Sequence, residues 1–258
     1  MKYNIRYSAQ PGLFSDGRMI AWFSCGAASA CMLKLLAPHK PMAVYCDTSR
    51  NEHKDNARFL KDVEAWTGQK ITVISSRKYE TIEQVFDERK YMSGPKGAPC
   101  TVELKKVPRF EMQRPNDVHC FGMGIDEKRR IEDFQANNWE LNLCWPLLDE
   151  EMTKADCLAM LEFAGIELPV LYRQGFKNNN CIGCVKAQSP KYWNKVRRLY
   201  PETFANRAEQ SRRIGCKLTR IKGEHIFLDQ LQPDDETDYN EDLSCGPQCT
   251  ISNNLQEI

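Results

Sequence analysis

The stretch from residue 19 to residue 36 constrains the fold more than any other part of this sequence. It begins with the short apolar run Met19–Phe23, continues through small residues at 24–29, and ends in residues 30–36, whose apolar spacing is helical. We interpret the three pieces as a strand, a tight loop and a helix. This order is typical of the beginning of an α/β unit, in which a helix packs against a parallel sheet.

The alternation of strands and helices continues along the chain. Asn56–Thr67 spaces its apolar residues as a helix does, and Gly68 follows it. The sequence therefore predicts an α/β fold: a mostly parallel, twisted sheet with helices on both faces, and ligands at the carboxyl ends of its strands. Further predicted elements are strands at 42–46, 71–75 and 118–121, and an apolar segment at 141–147 that leads into a helix at 154–164.

Charge divides the C-terminal third of the chain into two parts. Residues 186–222 carry eleven Lys or Arg against two Glu, whereas residues 229–242 carry seven Asp or Glu and no base. A chain of 258 residues is long enough for one or two domains. We divide it into a core at 1–185, a basic helical appendage at 186–231 and an acidic, flexible tail at 232–258.

The basic block allows two interpretations. Tyr192, Trp193 and Tyr200 are interleaved with its charges, which is typical of a surface that binds phosphates or a nucleic acid. A basic helix surface packed against the chain's own acidic tail would have the same composition.

Composition also indicates a compartment. The sequence shows neither a secretory leader nor an apolar run of the roughly 20 residues that span a bilayer. We therefore expect a cytoplasmic protein without membrane contact. In a reducing compartment, the twelve cysteines are expected to be buried small side chains and metal-binding or catalytic thiolates rather than disulfides.

The loop Ser24-Cys25-Gly26-Ala27-Ala28-Ser29 has the composition of an anion cradle. Gly26 permits close approach of a ligand, the serines offer hydroxyls, and the positive end of the following helix dipole faces the loop. The Lys-Ser/Thr ending of a Walker A loop is missing. A phosphate would fit here, although small-residue loops also form ordinary strand-to-helix turns.

This loop and several later motifs occur in the order found in a known family. Ser24, Gly26 and Ser29 match the pattern Ser-Gly-Gly-x-Asp-Ser, in which Cys25 replaces a glycine and Ala28 the aspartate. From about residue 20 to residue 184, the chain resembles the phosphoadenosine phosphosulfate reductase family of the adenine nucleotide alpha-hydrolase (PP-loop ATP pyrophosphatase) superfamily. The other matching segments are Cys46-Asp47-Thr48-Ser49 with Glu52, residues 121–130, residues 146–149 with 153–156, and residues 168–176 ahead of Cys181-Ile182-Gly183-Cys184.

The resemblance implies an adenine nucleotide alpha-hydrolase-like fold that binds ATP with Mg²⁺. Besides residues 24–29, the nucleotide-binding residues that it implies are Asp47, Thr48, Gly122 and Gly124. The residues expected to act on the reacting groups are Lys105, Arg129, Arg130 and Cys245. The alanine at position 28 removes the carboxylate with which the family loop would hold magnesium.

Cysteine spacing predicts a metal centre. Cys181 and Cys184 form a C-x-x-C pair on a Gly- and Asn-rich turn, and Cys100 lies where iron–sulfur members of the family carry a Cys-Cys pair. Three thiolates fit a four-iron four-sulfur cluster, with zinc, a redox dithiol or plain packing as alternatives. Candidates for a fourth ligand are Cys120, Cys216, Cys245 and Cys249.

The resemblance leaves three functions open. In the preferred one, the enzyme adenylates a DNA or tRNA acceptor and inserts sulfur, with a cysteine desulfurase as a possible partner. In the second, Cys245 attacks the sulfur of phosphoadenosine phosphosulfate or adenosine phosphosulfate, and a thioredoxin-type partner restores the thiol; Ser244-Cys245-Gly246 is similar to the reductases' C-terminal motif. In the third, the chain is a nucleotide-binding partner subunit without catalysis, consistent with Ala28.

Overall fold

The centre of the fold is a five-stranded, all-parallel sheet with the strand order β3-β2-β1-β4-β5. The computed structural model describes residues 17–95, 97–239, 243 and 245. The chain winds from β1 first to one side of the sheet and then to the other, so the order reverses between β1 and β4. The strands are β1 (Met19–Phe23), β2 (Met42–Cys46), β3 (Ile71–Ile74), β4 (Val118–Phe121) and β5 (Asn142–Cys144).

Helices surround this sheet, and a π-helical turn at Val102–Lys106 joins two of them, α4 and α5. The helices that precede β4 are α1 (Ala27–Leu36), α2 (Asn56–Thr67), α3 (Ile82–Arg89), α4 (Pro99–Thr101) and α5 (Val107–Met112). Those that follow β4 are α6 (Lys128–Asn137), α7 (Pro146–Asp149), α8 (Lys154–Phe163), α9 (Val170–Arg173), α10 (Pro190–Leu199) and α11 (Pro201–Ile214).

Both faces of the sheet are buried, because successive residues of a strand point to opposite sides. Ala21 and Phe23 of β1 pack in one cluster with buried residues of α1, α2 and α8. Ile20 and Trp22 pack in another cluster, with buried residues of β4 and α6. The predicted α/β fold with a parallel sheet covered on both faces is therefore confirmed.

The C-terminal region builds a third cluster with an earlier part of the chain. Trp193 of α10 is fully buried there, together with Phe86 of α3 and Leu104 of the π-helical turn. The antiparallel hairpin of β6 (Thr219–Ile221) and β7 (Glu224–Ile226) follows α11. The boundary predicted between residues 185 and 186 lies within this cluster, and the division into domains stays a prediction.

The acidic segment, residues 229–239, packs against α10 and the hairpin. Asn194 Nδ2 donates to the carbonyl oxygens of Gln232 and Asp235, both at 2.8 Å, and Tyr239 Oη donates to the Arg220 carbonyl at 2.8 Å. Residues 232–239 are thus connected to α10 and to the hairpin by hydrogen bonds that low apolar content does not predict. Flexibility of the tail at 232–258 stays a prediction.

No helix in the part of the chain that the structure describes is both long and apolar enough to cross a bilayer.

Candidate active site

A cleft of ≈ 510 Å³ lies where β1 and β4 end. This is the point at which the strand order reverses, and open α/β sheets bind their ligands there. Of the residues predicted for the site, the cleft is lined by Ser24, Gly26, Ala28, Ser29, Gly122, Gly124, Arg129, Arg130 and Cys245.

The loop after β1 is held in shape by the hydroxyl of Ser29. This oxygen accepts hydrogen bonds from the backbone N–H groups of Ser24 (3.1 Å) and Gly26 (3.3 Å) and donates to the Gly26 carbonyl (2.9 Å). Helix α1 begins at Ala27, so the second half of the loop forms the first turn of the helix. The positive end of the helix dipole therefore faces the cleft, where it favours an anion.

Cys25 and Ala27 contribute backbone rather than side chains. The side chains of both are buried, and the Cys25 thiol lies 3.6 Å from the Asn56 carbonyl oxygen. Cys25 has a φ of 57°, which lies in the left-handed region of backbone conformation. This conformation is costly for residues other than glycine. This explains why the family pattern has glycine at this position.

Gly122 and Gly124 allow the segment after β4 to approach its neighbours closely. A Cβ on Gly122 would lie 2.7 Å from Ser29 Cα and 2.8 Å from the Ser29 nitrogen. A Cβ on Gly124 would collide with the carbonyl of Met152. Gly122 therefore sets the distance between β4 and the loop, and no larger residue fits without displacing backbone.

Asp47 and Thr48 lie at the end of β2, outside the residues that line the cleft. The Thr48 hydroxyl is bonded to the Glu52 carboxylate, and Asp47 Oδ1 accepts from the Ser49 N–H at 2.9 Å. The other eight predicted nucleotide-binding residues line the cleft or lie beneath it, namely residues 24–29, Gly122 and Gly124.

Four further residues in the wall of the cleft are not among the predicted site residues. Lys154 and Lys177 add basic groups to those of Arg129 and Arg130, and Asp126 adds a carboxylate. Asn179 ties the wall to the loop, since its Nδ2 donates to the Cys25 carbonyl at 2.7 Å. The run of three asparagines before Cys181 was the available signal, because an unusual polar run beside a C-x-x-C pair indicates a functional turn.

Four cysteines from distant parts of the chain interact electrostatically, and we call them the thiol group: Cys100, Cys181, Cys184 and Cys245. Burial, together with the charge of Cys245, raises the pKa of Cys100 to about 12 and that of Cys184 to about 11. Burial also raises the pKa of Cys181. The three predicted metal ligands and Cys245 are therefore electrostatic neighbours.

Cys245 differs from the other three in its protonation. Burial raises the pKa of its thiol, but the ammonium groups of Lys105 and Lys186 outweigh this effect and bring the pKa down to about 7. Lys105 Nζ donates to the Cys245 carbonyl at 3.3 Å, and Thr101 Oγ1 lies 3.8 Å from Cys245 Sγ. Cys245 also lines the cleft, so the member of the thiol group whose ionised form is most favoured lies at the predicted nucleotide position.

The other candidates for a fourth ligand lie elsewhere or outside the description. Cys216 Sγ is 3.4 Å from the Ser93 carbonyl oxygen, and Cys120 interacts with Cys144 in the sheet core. Cys249 lies outside the described residues. Cys31, Cys144 and Cys157 are buried in the core as small side chains.

The thiol group offers four cysteine sulfurs, the donor type that zinc and iron–sulfur centres use. Because burial raises the pKa of Cys100, Cys181 and Cys184, metal binding there would have to release their protons. Within residues 17–95, 97–239, 243 and 245, no three His, Cys, Asp or Glu side chains are arranged around a single ion position. The cysteines of an iron–sulfur cluster are spaced more widely than those around one ion. Both the cluster and the zinc alternative stay predictions.

The basic face, formed by Arg198, Arg212 and Arg213 of α10 and α11, is largely paired within the chain. Arg198 contacts Glu236 at 2.9 Å, Arg212 contacts Asp229 at 2.8 Å, and Arg213 contacts Asp87 at 2.7 Å. These ion pairs agree with the second interpretation of the basic block, in which its helix surface packs against acidic residues of the same chain. Nucleic-acid binding stays a prediction.

Comparison of the sequence with protein-family models and with curated proteins gave no match. The resemblance to the phosphoadenosine phosphosulfate reductase family therefore depends on the ordered motifs alone.

Proposed function

We propose that the chain is an ATP pyrophosphatase-type enzyme that adenylates a nucleic-acid acceptor for sulfur insertion, as in DNA phosphorothioation or tRNA thiolation. The observation that carries the proposal is the position of Cys245. Its thiol belongs to the thiol group, and the residue also lines the cleft with Ser24 and Arg129. This position supports a function that combines sulfur chemistry with nucleotide binding.

In the first step, an oxygen of the acceptor attacks the α-phosphorus of ATP. The bond between the α-phosphorus and the bridging oxygen breaks, and pyrophosphate leaves. Residues 24–29 hold the departing phosphates with backbone N–H groups and the helix dipole, while Arg129 and Lys154 offset their charge. Asp126 is the carboxylate placed to hold magnesium in place of the missing loop aspartate.

In the second step, a sulfur nucleophile attacks the activated centre of the acceptor, and AMP leaves with the oxygen. Cys245 is the thiol placed to carry this sulfur as a persulfide, loaded by an external sulfane donor. Its outer sulfur bonds to the acceptor as AMP leaves, and an external dithiol then attacks the Cys245 sulfur, breaks the S–S bond, releases the thiolated acceptor and restores the Cys245 thiol as the dithiol becomes a disulfide. Lys105 favours its ionised form, since an ammonium group beside a thiol stabilises the thiolate. An iron–sulfur cluster, if bound, would be held by Cys100, Cys181 and Cys184 and would supply redox or sulfur-binding chemistry behind this thiol.

One observation also favours a second function, a phosphoadenosine phosphosulfate or adenosine phosphosulfate reductase. A thiolate at Cys245 in the nucleotide cleft is what attack on a sulfonucleotide requires. The Cys245 sulfur would bond to the sulfate sulfur, the nucleotide would leave with the bridging oxygen, and an external dithiol would release sulfite from the thiosulfonate.

The first experiment is anaerobic calorimetric titration of one preparation with Mg²⁺-ATP, adenosine phosphosulfate and phosphoadenosine phosphosulfate. Preferential binding of ATP, with pyrophosphate released only when an acceptor nucleic acid is added, supports sulfur transfer. Preference for a sulfonucleotide, with sulfite formed in the presence of thioredoxin, makes the reductase correct. Binding of ATP without any turnover would indicate the non-catalytic subunit.

A further inference from the structure

A second, smaller cavity of ≈ 140 Å³ lies beside the cleft. The two cavities share Lys177, Asn178 and Asn180 in their walls, and Cys181 of the thiol group lies in the wall of the small one. Its volume is below the roughly 300–1,000 Å³ typical of pockets for drug-sized ligands. The occupant is therefore limited to a group about the size of one ring.

The wall of the small cavity is mainly apolar and partly aromatic. The rings of Phe176 and Tyr192 meet edge to face, with centroids 5.7 Å apart, and Leu171, Ile182 and Leu243 complete the apolar surface. Aromatic side chains bind planar rings by stacking, and every nucleobase has a face that can stack in this way.

Positive charge surrounds the same cavity. Lys177, Lys191 and Lys195 line it against a single carboxylate, Asp238, which leaves two formal positive charges in excess. Asp238 is 3.4 Å from Lys177 and 3.8 Å from Lys191. Lys195 Nζ lies 5.1 Å from the centre of the Phe176 ring. Burial and then the neighbouring charge of Lys191 lower the pKa of Lys195, so a bound anion would relieve repulsion among the lysines.

We propose that the small cavity is a second nucleotide subsite, which holds one base of the acceptor against Phe176 and Tyr192 with its phosphate at the lysines. The inference rests on the proposed function, because a polynucleotide acceptor supplies a ring and a phosphate together. Cys181 places the bound base beside the thiol group. Leu243 lines the small cavity and Cys245 lines the cleft, so one short segment of the tail contributes to both sites.

The test uses the full chain and the four RNA nucleoside 5′-monophosphates as probes, with binding followed by calorimetry and by ligand-observed NMR. Two variants change the cavity: Phe176→Leu removes the ring but keeps an apolar side chain, and Lys195→Gln removes a charge near the surface. Lys217→Gln is the matched control, since Lys217 lies outside both cavities. Gly122→Ala alters the cleft alone.

We expect at least one monophosphate to bind. Phe176→Leu should reduce its affinity roughly tenfold, the effect of losing one stacked base. Lys195→Gln should also reduce the affinity, whereas Lys217→Gln and Gly122→Ala should not. Absence of binding, or binding that Gly122→Ala abolishes and the cavity variants leave intact, overturns the inference. ATP binding is measured on the same samples. If a monophosphate binds but ATP does not, the result counts against the proposed function alone. If ATP binds but no monophosphate does, the result counts against the subsite alone.

Discussion

The cleft and the basic face are both rich in positive charge, but they use it differently. Beside the cleft, Lys105 and Lys186 lower the pKa of the Cys245 thiol, a group that can react. On the basic face, the charges of Arg198 and Arg212 act on Glu236 and Asp229. A count of charges along the sequence cannot separate these situations, because the carboxylates that neutralise α10 and α11 come from distant positions.

The difference indicates where a phosphorylated ligand would bind. Exposed ion pairs contribute little to stability and are screened by salt, so the basic face gains little from its own pairing and offers little unbalanced charge to a ligand. The cleft adds the positive end of the α1 dipole to its charges. We therefore expect changes in the cleft to affect ligand binding far more than changes on the basic face.

The largest effect is expected for Gly122→Val. The added side chain would displace the backbone at Ser29 and disturb the N–H groups that face the phosphates. If two hydrogen bonds to charged oxygens are lost at about 1.5 kcal/mol each, ATP affinity falls on the order of 100-fold. Calorimetric titration with Mg²⁺-ATP measures the change.

Gly68→Ala is the control for Gly122→Val. Gly68 has a φ of 68° and nothing within 4 Å of its Cβ position, so an alanine there strains the backbone without touching the cleft. This variant should lose stability and keep its ATP affinity. Equal loss of affinity in both variants would mean that general destabilisation, and not the shape of the cleft, controls binding.

The next effect concerns ionisation of Cys245. Its pKa of about 7 lies below the ordinary thiol value of 9.0, so the alkylation rate should rise with pH and reach half its maximum near pH 7. Lys105→Gln removes the largest favourable charge and should move this midpoint upward. A shift of one pH unit slows alkylation at pH 7 by about fivefold, because the thiolate fraction falls from about one half to about one eleventh.

Iodoacetamide labelling followed by peptide mass spectrometry measures both rates in one sample. Cys216 is the internal reference, since burial raises the pKa of its thiol and Lys105 is not among the groups that affect it. A midpoint that stayed near pH 7 in the Lys105→Gln variant would refute the assignment of the low pKa to this lysine.

Local pattern was enough to predict much of the fold but little of the way in which the site is completed. The bounds of Asn56–Thr67 and Val118–Phe121 agree with the structure, because apolar spacing and a following glycine act within a few residues. Helix α1 begins at Ala27 rather than at residue 30, since its first turn is made by the small residues that we had assigned to the loop.

Contacts between distant segments explain what the sequence could not predict. The π-helical turn that carries Lys105 has no distinct composition, and the lowered pKa of Cys245 depends on residues about 60 and 140 positions away. The C-x-x-C pair was visible from its spacing. Its proximity to Cys245 required the packing of the acidic segment, which low apolar content had led us to treat as flexible.

A smaller effect is expected for Asp126→Asn. If Asp126 holds the magnesium that accompanies ATP, its loss weakens Mg²⁺-ATP binding by up to about fivefold, equivalent to the ~1 kcal/mol typical of an exposed charge interaction. Binding of ATP in the presence of EDTA should not weaken, because the carboxylate only repels the bare triphosphate. Equal weakening with and without magnesium would show that Asp126 acts on the structure of the cleft instead.

The smallest effect is expected on the basic face. Arg198→Gln and Arg212→Gln each remove an exposed ion pair, so the free energy of unfolding should fall by less than about 1 kcal/mol, as measured by urea denaturation. Single-stranded RNA affinity at low salt should change little, because Glu236 and Asp229 already neutralise these arginines. A large loss of affinity with a flatter salt dependence would contradict this. It would mean that RNA displaces the acidic segment, so that the basic face binds ligand as the cleft does and the contrast between the two regions disappears.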